Sequence, residues 1–373
     1  MPCTRTYTGS IVRQGSFLSN KVYSVGENIM NETSEFHAMV CVAPFTLEWQ
    51  PLVLPPLGPR DVLLQIAQTG ICPSDVRVYS GKSSIKLPKI LGHEAVAQVV
   101  AVGSEVTSVT PGQWVVPDGI IKCGLCLACR RGRPNKCQRV RYASGAYGEA
   151  TIVPETNIYP LRKTTPLRAA TFTEPLACVL RGERMLRITP GETVLVIGCG
   201  PIGLLHVQVA KRFGARVLAA DLKHERLDKA LSLGADVALD PQQPLREAIL
   251  AETDGYGADA AVVAFGSSRL VETVATTLSY GGRLNIFAGV YPKDPLSLDP
   301  NLIHYNELVI TGSADHTPTD YSEALNLIER GLIQVLPLVS DVIPLRELQR
   351  GFEMVQSQQG LKVIVEVNPA LAG

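Results

Sequence analysis

Cys123-x2-Cys126-x2-Cys129-x7-Cys137 places four thiols inside one fifteen-residue segment. Four soft ligands at such short spacing suit a closed tetrahedral zinc site, which has no open position and does no chemistry. The x7 gap does not fit the C-x2-C-x2-C-x3-C-P run of bacterial ferredoxins. A zinc ribbon would set two CxxC pairs further apart. Seven basic residues surround the thiols (Lys122, Arg130, Arg131, Arg133, Lys136, Arg139 and Arg141), and no acid occurs from Gly119 to Gly148. Zinc held by four thiolates carries a net negative charge that these cations offset; a nucleic-acid surface is the competing reading. Outside this cluster stand Cys72, the pair His93-Glu94, and Glu174 in Thr-Glu-Pro-Leu. A thiolate, an imidazole and a carboxylate hold zinc while leaving a position for substrate. Each also has an ordinary account as a buried cysteine, a core histidine or a surface glutamate.

A second constellation is Gly198-Cys-Gly200-Pro201-Ile202-Gly203, with Asp221 following 18 residues after Gly203. The motif comes after the apolar run Thr193–Ile197, opens a helical pattern over Pro201–Phe213, and precedes a second apolar run, Arg216–Ala220. That context makes it a dinucleotide fingerprint. The first glycine permits a tight turn, the second lets backbone approach a pyrophosphate, and the third packs helix close to strand. Free N–H groups and the positive dipole end of the helix then face the phosphates. Asp221 accepts hydrogen bonds from both adenosine ribose hydroxyls and repels a 2′-phosphate, which favours NAD over NADP. Lys223, His224 and Arg226 are the cations that would meet such a phosphate, and Arg226 is counted with the cofactor-facing residues.

These groups need a scaffold, and the rest of the chain supplies the pattern for one. Its 373 residues suggest two domains or three. A 46% hydrophobic content is that of an ordinary globular protein. Equal numbers of basic and acidic residues, 35 each, argue against a protein that lives on nucleic acid or an acidic membrane. No apolar stretch reaches the length of a membrane span. The nine cysteines do not resemble a secreted disulfide framework; metal ligation in a reducing compartment, the cytoplasm, is expected. Residues 1–36 are polar, with Arg5, Arg13 and Lys21 among Ser, Thr and Gly and no acid before Glu27, faintly like a transit peptide, but read as a flexible extension. From 38 to 170 the chain is β-rich, with strands expected at His37–Ala43, Asp61–Ala67, Val96–Val102 and Gln113–Val116. From about residue 175 strands alternate with helices, which predicts a parallel sheet covered on both faces. Further strands are expected at Ala258–Ala264, Arg283–Ala288 and Leu308–Thr311, and helices at His224–Leu233 and Tyr321–Arg330.

Taken in order, Gly70-Ile-Cys-Pro-Ser-Asp75, Gly92-His-Glu94, the four-cysteine lobe, Glu174-Pro-Leu and GCGPIG resemble the zinc-containing medium-chain dehydrogenases over residues 38–373, most of all the sorbitol or polyol dehydrogenase branch. The resemblance implies an α/β Rossmann doubly wound parallel sheet at 175–314. It also implies a β-rich GroES-like catalytic domain at 37–174, with the lobe 123–137 and completed by 315–373. It implies two zinc ions per chain. The catalytic one is held by Cys72, His93 and a carboxylate, either Glu94 or Glu174; the other is held by Cys123, Cys126, Cys129 and Cys137. Ser74 matches the hydroxyl that passes the alcohol proton, and Asp75 matches the acid that orients His93. Arg77 departs from the family, which often carries histidine there; arginine keeps its proton and is no general base. Cys41, Cys178, Cys199 and Cys3 read as small core fillers. Ser313–Pro318 is the segment expected to reach the cleft.

The function implied is NAD-dependent transfer of hydride to and from a secondary alcohol of a polyol, sugar or cyclitol-like substrate. The ligands are a small alcohol or ketone, with no nucleic acid and no membrane, in a homodimer or homotetramer. An amino-alcohol enzyme of the threonine type and a simple alcohol dehydrogenase are the alternatives within catalysis. Outside it stands an inactive NAD-binding zinc scaffold.

Overall fold

The computed structural model describes residues 36–240 and 242–371. The expected extension, with Cys3, lies outside the described residues apart from Phe36. Two sheets carry everything that follows. The first is a seven-stranded mixed sheet. From one edge it runs Ile158–Pro160, Trp114–Pro117, Glu94–Val102, Asp61–Gly70, Lys362–Glu366 and Val339–Pro344, and Ala150–Pro154 pairs with the start of Asp61–Gly70. Residues from near the C-terminus thus lie beside residues near position 70. Gly70 pairs with Glu94 on one side and with Ile364 on the other. This register decides which side chains meet at the end of the strand.

The second sheet is six-stranded and all parallel. Its order is Val237–Leu239, Arg216–Ala220, Thr193–Ile197, Ala258–Val263, Leu278–Ile286 and Val309–Gly312. In chain order that is third, second, first, fourth, fifth, sixth, the doubly wound arrangement whose ligand crevice opens where the order reverses, between Thr193–Ile197 and Ala258–Val263. Apolar runs buried on both faces are what such a central position requires; Val194, Leu195, Val196, Val262 and Val263 have no solvent exposure.

A 14-residue helix, Thr173–Leu186, joins the two sheets. Phe172, Leu176, Ala177 and Leu180 pack in one core with Ala67, Val96 and Ile364 of the mixed sheet and Val194, Val196 and Val262 of the parallel one. Each large apolar side chain so buried contributes roughly 1.5–3 kcal/mol. Pro175 breaks the helical pattern in the sequence, but it sits in the first turn, where no intrahelical donor is lost. Leu278–Ile286 begins five residues before the expected Arg283, because its first stretch is broken by exposed Tyr280 and Gly281. Among the described residues no helix is long and apolar enough to cross a membrane.

Candidate active site

Strand Asp61–Gly70 delivers the chain to Cys72, the N-cap of helix Pro73–Tyr79. Pro73 takes the first helical position, where its fixed φ and missing N–H suit the turn. Asp75, two residues on and buried, reaches back to accept from Cys72 N–H at 3.4 Å and also accepts from Gly92 N–H at 3.2 Å and the Tyr147 hydroxyl at 3.0 Å. Its other contact is His93 Nδ1, 3.4 Å from Oδ1. Burial pushes the Asp75 carboxyl up, but the His93 charge and these bonds outweigh it and hold the group below its ordinary value. Asp75 therefore fixes the ring that strand Glu94–Val102 presents at its start.

Ligand atoms of Cys72, His93 and Glu94 lie within 4.8 Å of one another. A soft sulfur, an imidazole and a carboxylate converging at that range suit zinc. The hydroxyl of Ser74 donates to Cys72 Sγ at 3.3 Å, which puts it at the rim of the cluster. Glu94 has a partner that the sequence does not announce. Lys362 Nζ forms an ion pair with Glu94 Oε2 and donates to Ile71 O at 3.0 Å, and both side chains are buried. Burial pushes the Glu94 carboxyl up, and the Lys362 charge offsets only part of that. The pair closes over Gly70: a Cβ there would stand 2.0 Å from Glu94 Oε2 and 2.7 Å from Lys362 Cε, so only glycine fits beneath it.

Glu174 belongs to a neighbouring group. Its Oε1 accepts from the Cys178 thiol at 3.3 Å and lies 3.7 Å from His316 Nδ1. The other ring nitrogen of His316 is 3.2 Å from Asp118 Oδ2, and Asp118 pairs with Lys122 at the foot of the cysteine lobe. Burial pushes Glu174 up, but His316, with His93 and the Cys178 thiol, brings it down to about 2. Burial alone would lower His316, and its two carboxylate neighbours raise it to about 9. Cys178 is therefore no core filler, unlike Cys41 and Cys199, which have no exposure and pack in the cores. Segment Ser313–Pro318, singled out in the sequence, supplies His316. Asp118, Tyr147 and Lys362 carry no signal at all: Lys362 meets the site through sheet register, and Asp118 and Tyr147 lie outside the strands and meet His316 and Asp75 through side-chain contacts.

In the lobe, ligand atoms of Cys123, Cys126, Cys129 and Cys137 also lie within 4.8 Å of one another. Cys126 Sγ is 3.5 Å from Cys129 Sγ and 4.0 Å from Cys137 Sγ. Tetrahedral zinc with bonds of about 2.3 Å sets sulfurs about 3.8 Å apart. Backbone N–H groups of Leu125 and Cys126 donate to Cys123 Sγ, and that of Gln138 donates to Cys126 Sγ. Bonds of this kind stabilise thiolates, and those from the backbone of Cys129 and Gln138 pull Cys126 down to about 6. One of the lobe's cations serves a contact within the chain: Lys136 Nζ donates to Ala314 O at 3.2 Å, beside the neutral amide of Asn135, whose Nδ2 donates to the same oxygen at 3.1 Å.

At the crevice of the parallel sheet, Gly198 turns with φ +89° and Gly200 caps helix Pro201–Arg212, with Pro201 and Ile202 half-buried in its first turn. A Cβ on Gly200 would meet only Arg226 Nη1, at 4.0 Å, so open space lies over the helix start. That cradle fits a dinucleotide phosphate. Asp221 accepts from Cys199 N–H at 2.7 Å and Lys223 N–H at 2.9 Å, which fixes its carboxylate beside the crevice. Arg226 lies 3.8 Å from Asp221 and donates to Gln358 O, as does Lys223. Arg77 stacks on Tyr291 of the parallel-sheet half, its guanidinium 4.2 Å from the ring centroid.

Comparison with known proteins agrees with this architecture. Residues 58–163 match the alcohol dehydrogenase GroES-like domain, and residues 201–330 match the zinc-binding dehydrogenase family. D-xylulose reductase A of Aspergillus niger is 32% identical over 323 residues, covering 83% of this chain and 90% of that protein. L-threonine 3-dehydrogenase of Caldanaerobacter subterraneus subsp. tengcongensis is 33% identical over 328 residues, 84% of this chain and 93% of that one. A zinc-binding dehydrogenase structure from Sinorhizobium meliloti 1021, bound to NADP, superimposes with TM-score 0.85 at 28% identity over 90% of this chain and 100% of that one. The chain belongs to the zinc-binding medium-chain alcohol dehydrogenases. Within that superfamily, which has polyol-dehydrogenase-like members, it is an oxidoreductase acting on CH–OH donors.

Proposed function

We propose that this enzyme interconverts a secondary alcohol of a polyol, sugar or cyclitol-like substrate and its ketone, with NAD as hydride acceptor. The observation that carries this is the convergence of Cys72, His93 and Glu94 beside Ser74, with Asp75 behind the histidine. Cys72, His93 and Glu94 would hold the catalytic zinc, and Cys123, Cys126, Cys129 and Cys137 a structural one. Zinc at the first site supplies a Lewis acid that lowers the pKa of a substrate hydroxyl. Ser74 accepts the hydroxyl proton and hands it outward. Arg77 cannot receive it, so the relay ends at water. Asp75 keeps the imidazole in one orientation, and Lys362 balances the carboxylate of Glu94. The mixed-sheet half (37–174 with 315–373) carries these residues, and 175–314 carries the cofactor. Gly198, Gly200, Pro201, Ile202 and Gly203 cradle its phosphates, and Asp221 receives the ribose.

NAD is preferred here because a fixed carboxylate at Asp221 opposes a 2′-phosphate, and because Lys223 and Arg226 are already engaged by Gln358. The comparison of kcat/KM for NAD and NADP, in the native chain and in Asp221→Ser, tests this; a native preference for NADP overturns it. A panel of polyols, cyclitols, amino alcohols including threonine, and simple alcohols tests the substrate class; turnover confined to threonine would move the chain to the amino-alcohol group. The alternative of an inactive scaffold predicts zinc in the lobe alone and no turnover on any of these. The eight described cysteines are all free, which supports a reducing compartment such as the cytoplasm. A homodimer or homotetramer remains part of the proposal, and light scattering checks it.

A further inference from the structure

Helix Pro73–Tyr79 carries one cation, Arg77, which the proposed mechanism leaves unused. We propose that Arg77 binds an oxyanion on the substrate, a carboxylate or a phosphate, so that the preferred alcohols are anionic polyols. This deepens the proposed function and rests on it, since it names the substrate class of the same site.

The helix and the parallel sheet together aim the side chain. Arg77 follows Ser74 by three residues, on the same helix face. Long side chains of a helix lean back over the turn N-terminal to their own Cα, which here is the turn that carries Ser74 and starts at Cys72. The guanidinium lies on the ring of Tyr291, 4.2 Å from its centroid. Tyr291 comes five residues after Ile286, the end of strand Leu278–Ile286. Ligands of a doubly wound sheet sit at the carboxyl ends of its strands. Asp221 follows strand Arg216–Ala220 on one side of the reversal in strand order, and Tyr291 follows a strand on the other. With the adenosine ribose at Asp221, Tyr291 falls on the nicotinamide side, and Arg77 with it. The cation therefore stands between the rim of the Cys72–His93 cluster and the reactive end of the cofactor, where substrate must lie.

Its bonding capacity is unspent. Among the described residues the guanidinium makes no hydrogen bond and no ion pair; only the backbone carbonyl of Arg77 is engaged, by Ser80 Oγ and Lys82 N–H. Stacking on Tyr291 fixes the plane of the group and leaves its edge, where the donors are, free. That edge is a fork which takes a carboxylate or a phosphate in two parallel bonds. Arg77 is half-buried, so water screens its charge less than on an open surface. A reacting carbon near Ser74 and an oxyanion at Arg77 are about one helical turn apart, ~5 Å, the span of a few carbon atoms. A sugar acid or a polyol phosphate meets that requirement, and a simple alcohol does not.

The test is kcat/KM of the full, zinc-loaded chain for matched sets: a polyol, the aldonate of the same carbon number and the polyol phosphate. The native chain should favour an anionic member over the neutral polyol by about tenfold or more, and the member favoured identifies the oxyanion. Arg77→Met should erase that preference through KM, by about ten- to a hundredfold, the range for losing a charged hydrogen-bond partner. Tyr291→Leu keeps the charge but frees the guanidinium, and should lower the preference by a smaller factor. Calorimetric titration with NADH should give native affinity in Arg77→Met. Equal use of neutral and anionic polyols by the native chain, or a preference that survives Arg77→Met, overturns the proposal. So does NADH binding weakened in Arg77→Met by the same factor as KM, which would assign the cation to the cofactor. If Arg77→Met does not fold, the native preference and its fall in Tyr291→Leu decide. Failure of the underlying reading looks different: no turnover of any alcohol, anionic or neutral.

Discussion

Two glycines of one motif should fail in opposite ways when each gains a methyl group. A Cβ on Gly203 would stand 1.7 Å from Gly198 O and 2.8 Å from Gly198 C, both backbone atoms. Ordinary contact needs about 3.4 Å, so helix Pro201–Arg212 must move off strand Thr193–Ile197 by more than about 1 Å. Overpacking of this kind costs about 1–3 kcal/mol, and the absence of any side chain that can yield puts Gly203→Ala near the upper end. At about 2 °C per kcal/mol for a chain of this size, Tm falls by roughly 5 °C. Gly200 differs. Its φ of −70° suits any residue, and a Cβ there meets nothing closer than 4.0 Å. Gly200→Ala should therefore melt within about 1 °C of the native chain but take up the space a phosphate needs, weakening NADH binding about tenfold or more, which is about 1.4 kcal/mol. Calorimetry without cofactor reads the first effect and NADH fluorescence titration the second. An unchanged Tm for Gly203→Ala, or native NADH affinity for Gly200→Ala, would refute the reasoning about the crevice.

Other expectations follow from the same contacts. Lys362→Met leaves the Glu94 carboxylate buried without its partner and should cost about 3–5 kcal/mol in denaturant unfolding; adding Glu94→Gln should recover most of that, and a single variant within about 1 kcal/mol of native would show that the pair is not coupled. Cys126→Ser should lose the lobe's zinc and lower Tm or prevent assembly, and native stability with full metal content would contradict a structural role. His316 is raised from its ordinary 6.5 to about 9, so in protein stripped of metal its contribution is fully present below pH 6.5 and lost as pH rises through 9, about 3 kcal/mol over that window. Its partner Glu174 is lowered from 4.5 to about 2, so the same interaction is present above pH 4.5 and fades as pH falls toward 2. Melting curves of stripped native chain and His316→Gln across both windows check this: the variant should lose the slope toward pH 9 and keep a shallower one at low pH, where His93 and Cys178 still lower Glu174.

The legible parts of the site were those where chemistry follows local spacing. The cysteine lobe, the glycine motif with Asp221, and the strands around it depend on a few adjacent residues and on apolar runs, and sequence periodicity reports both. Cys72, Ser74 and Asp75 lie within one helical turn and could be read together. Lys362 could not: it reaches Glu94 only because Ile364 and Glu94 flank Gly70 in the sheet register, 294 and 24 positions from that glycine. The same holds for Asp118 and His316, brought together by the docking of Ser313–Pro318 on the lobe. Helix Thr173–Leu186 hid behind Pro175, so Cys178 was placed in the core rather than one turn below Glu174. The basic lobe suggested nucleic acid on charge alone, yet Asn135, Lys136 and Lys122 face the His316 segment.

The central claim is that zinc held by Cys72, His93 and Glu94 drives alcohol oxidation. Zinc content, turnover and NADH affinity measured on one preparation of Cys72→Ser test it most directly. The account predicts the loss of about one zinc ion per chain, a fall in turnover of about a thousandfold or more, and native affinity for NADH. Native turnover in a preparation shown to lack that ion, or undiminished zinc with lost turnover, would contradict it.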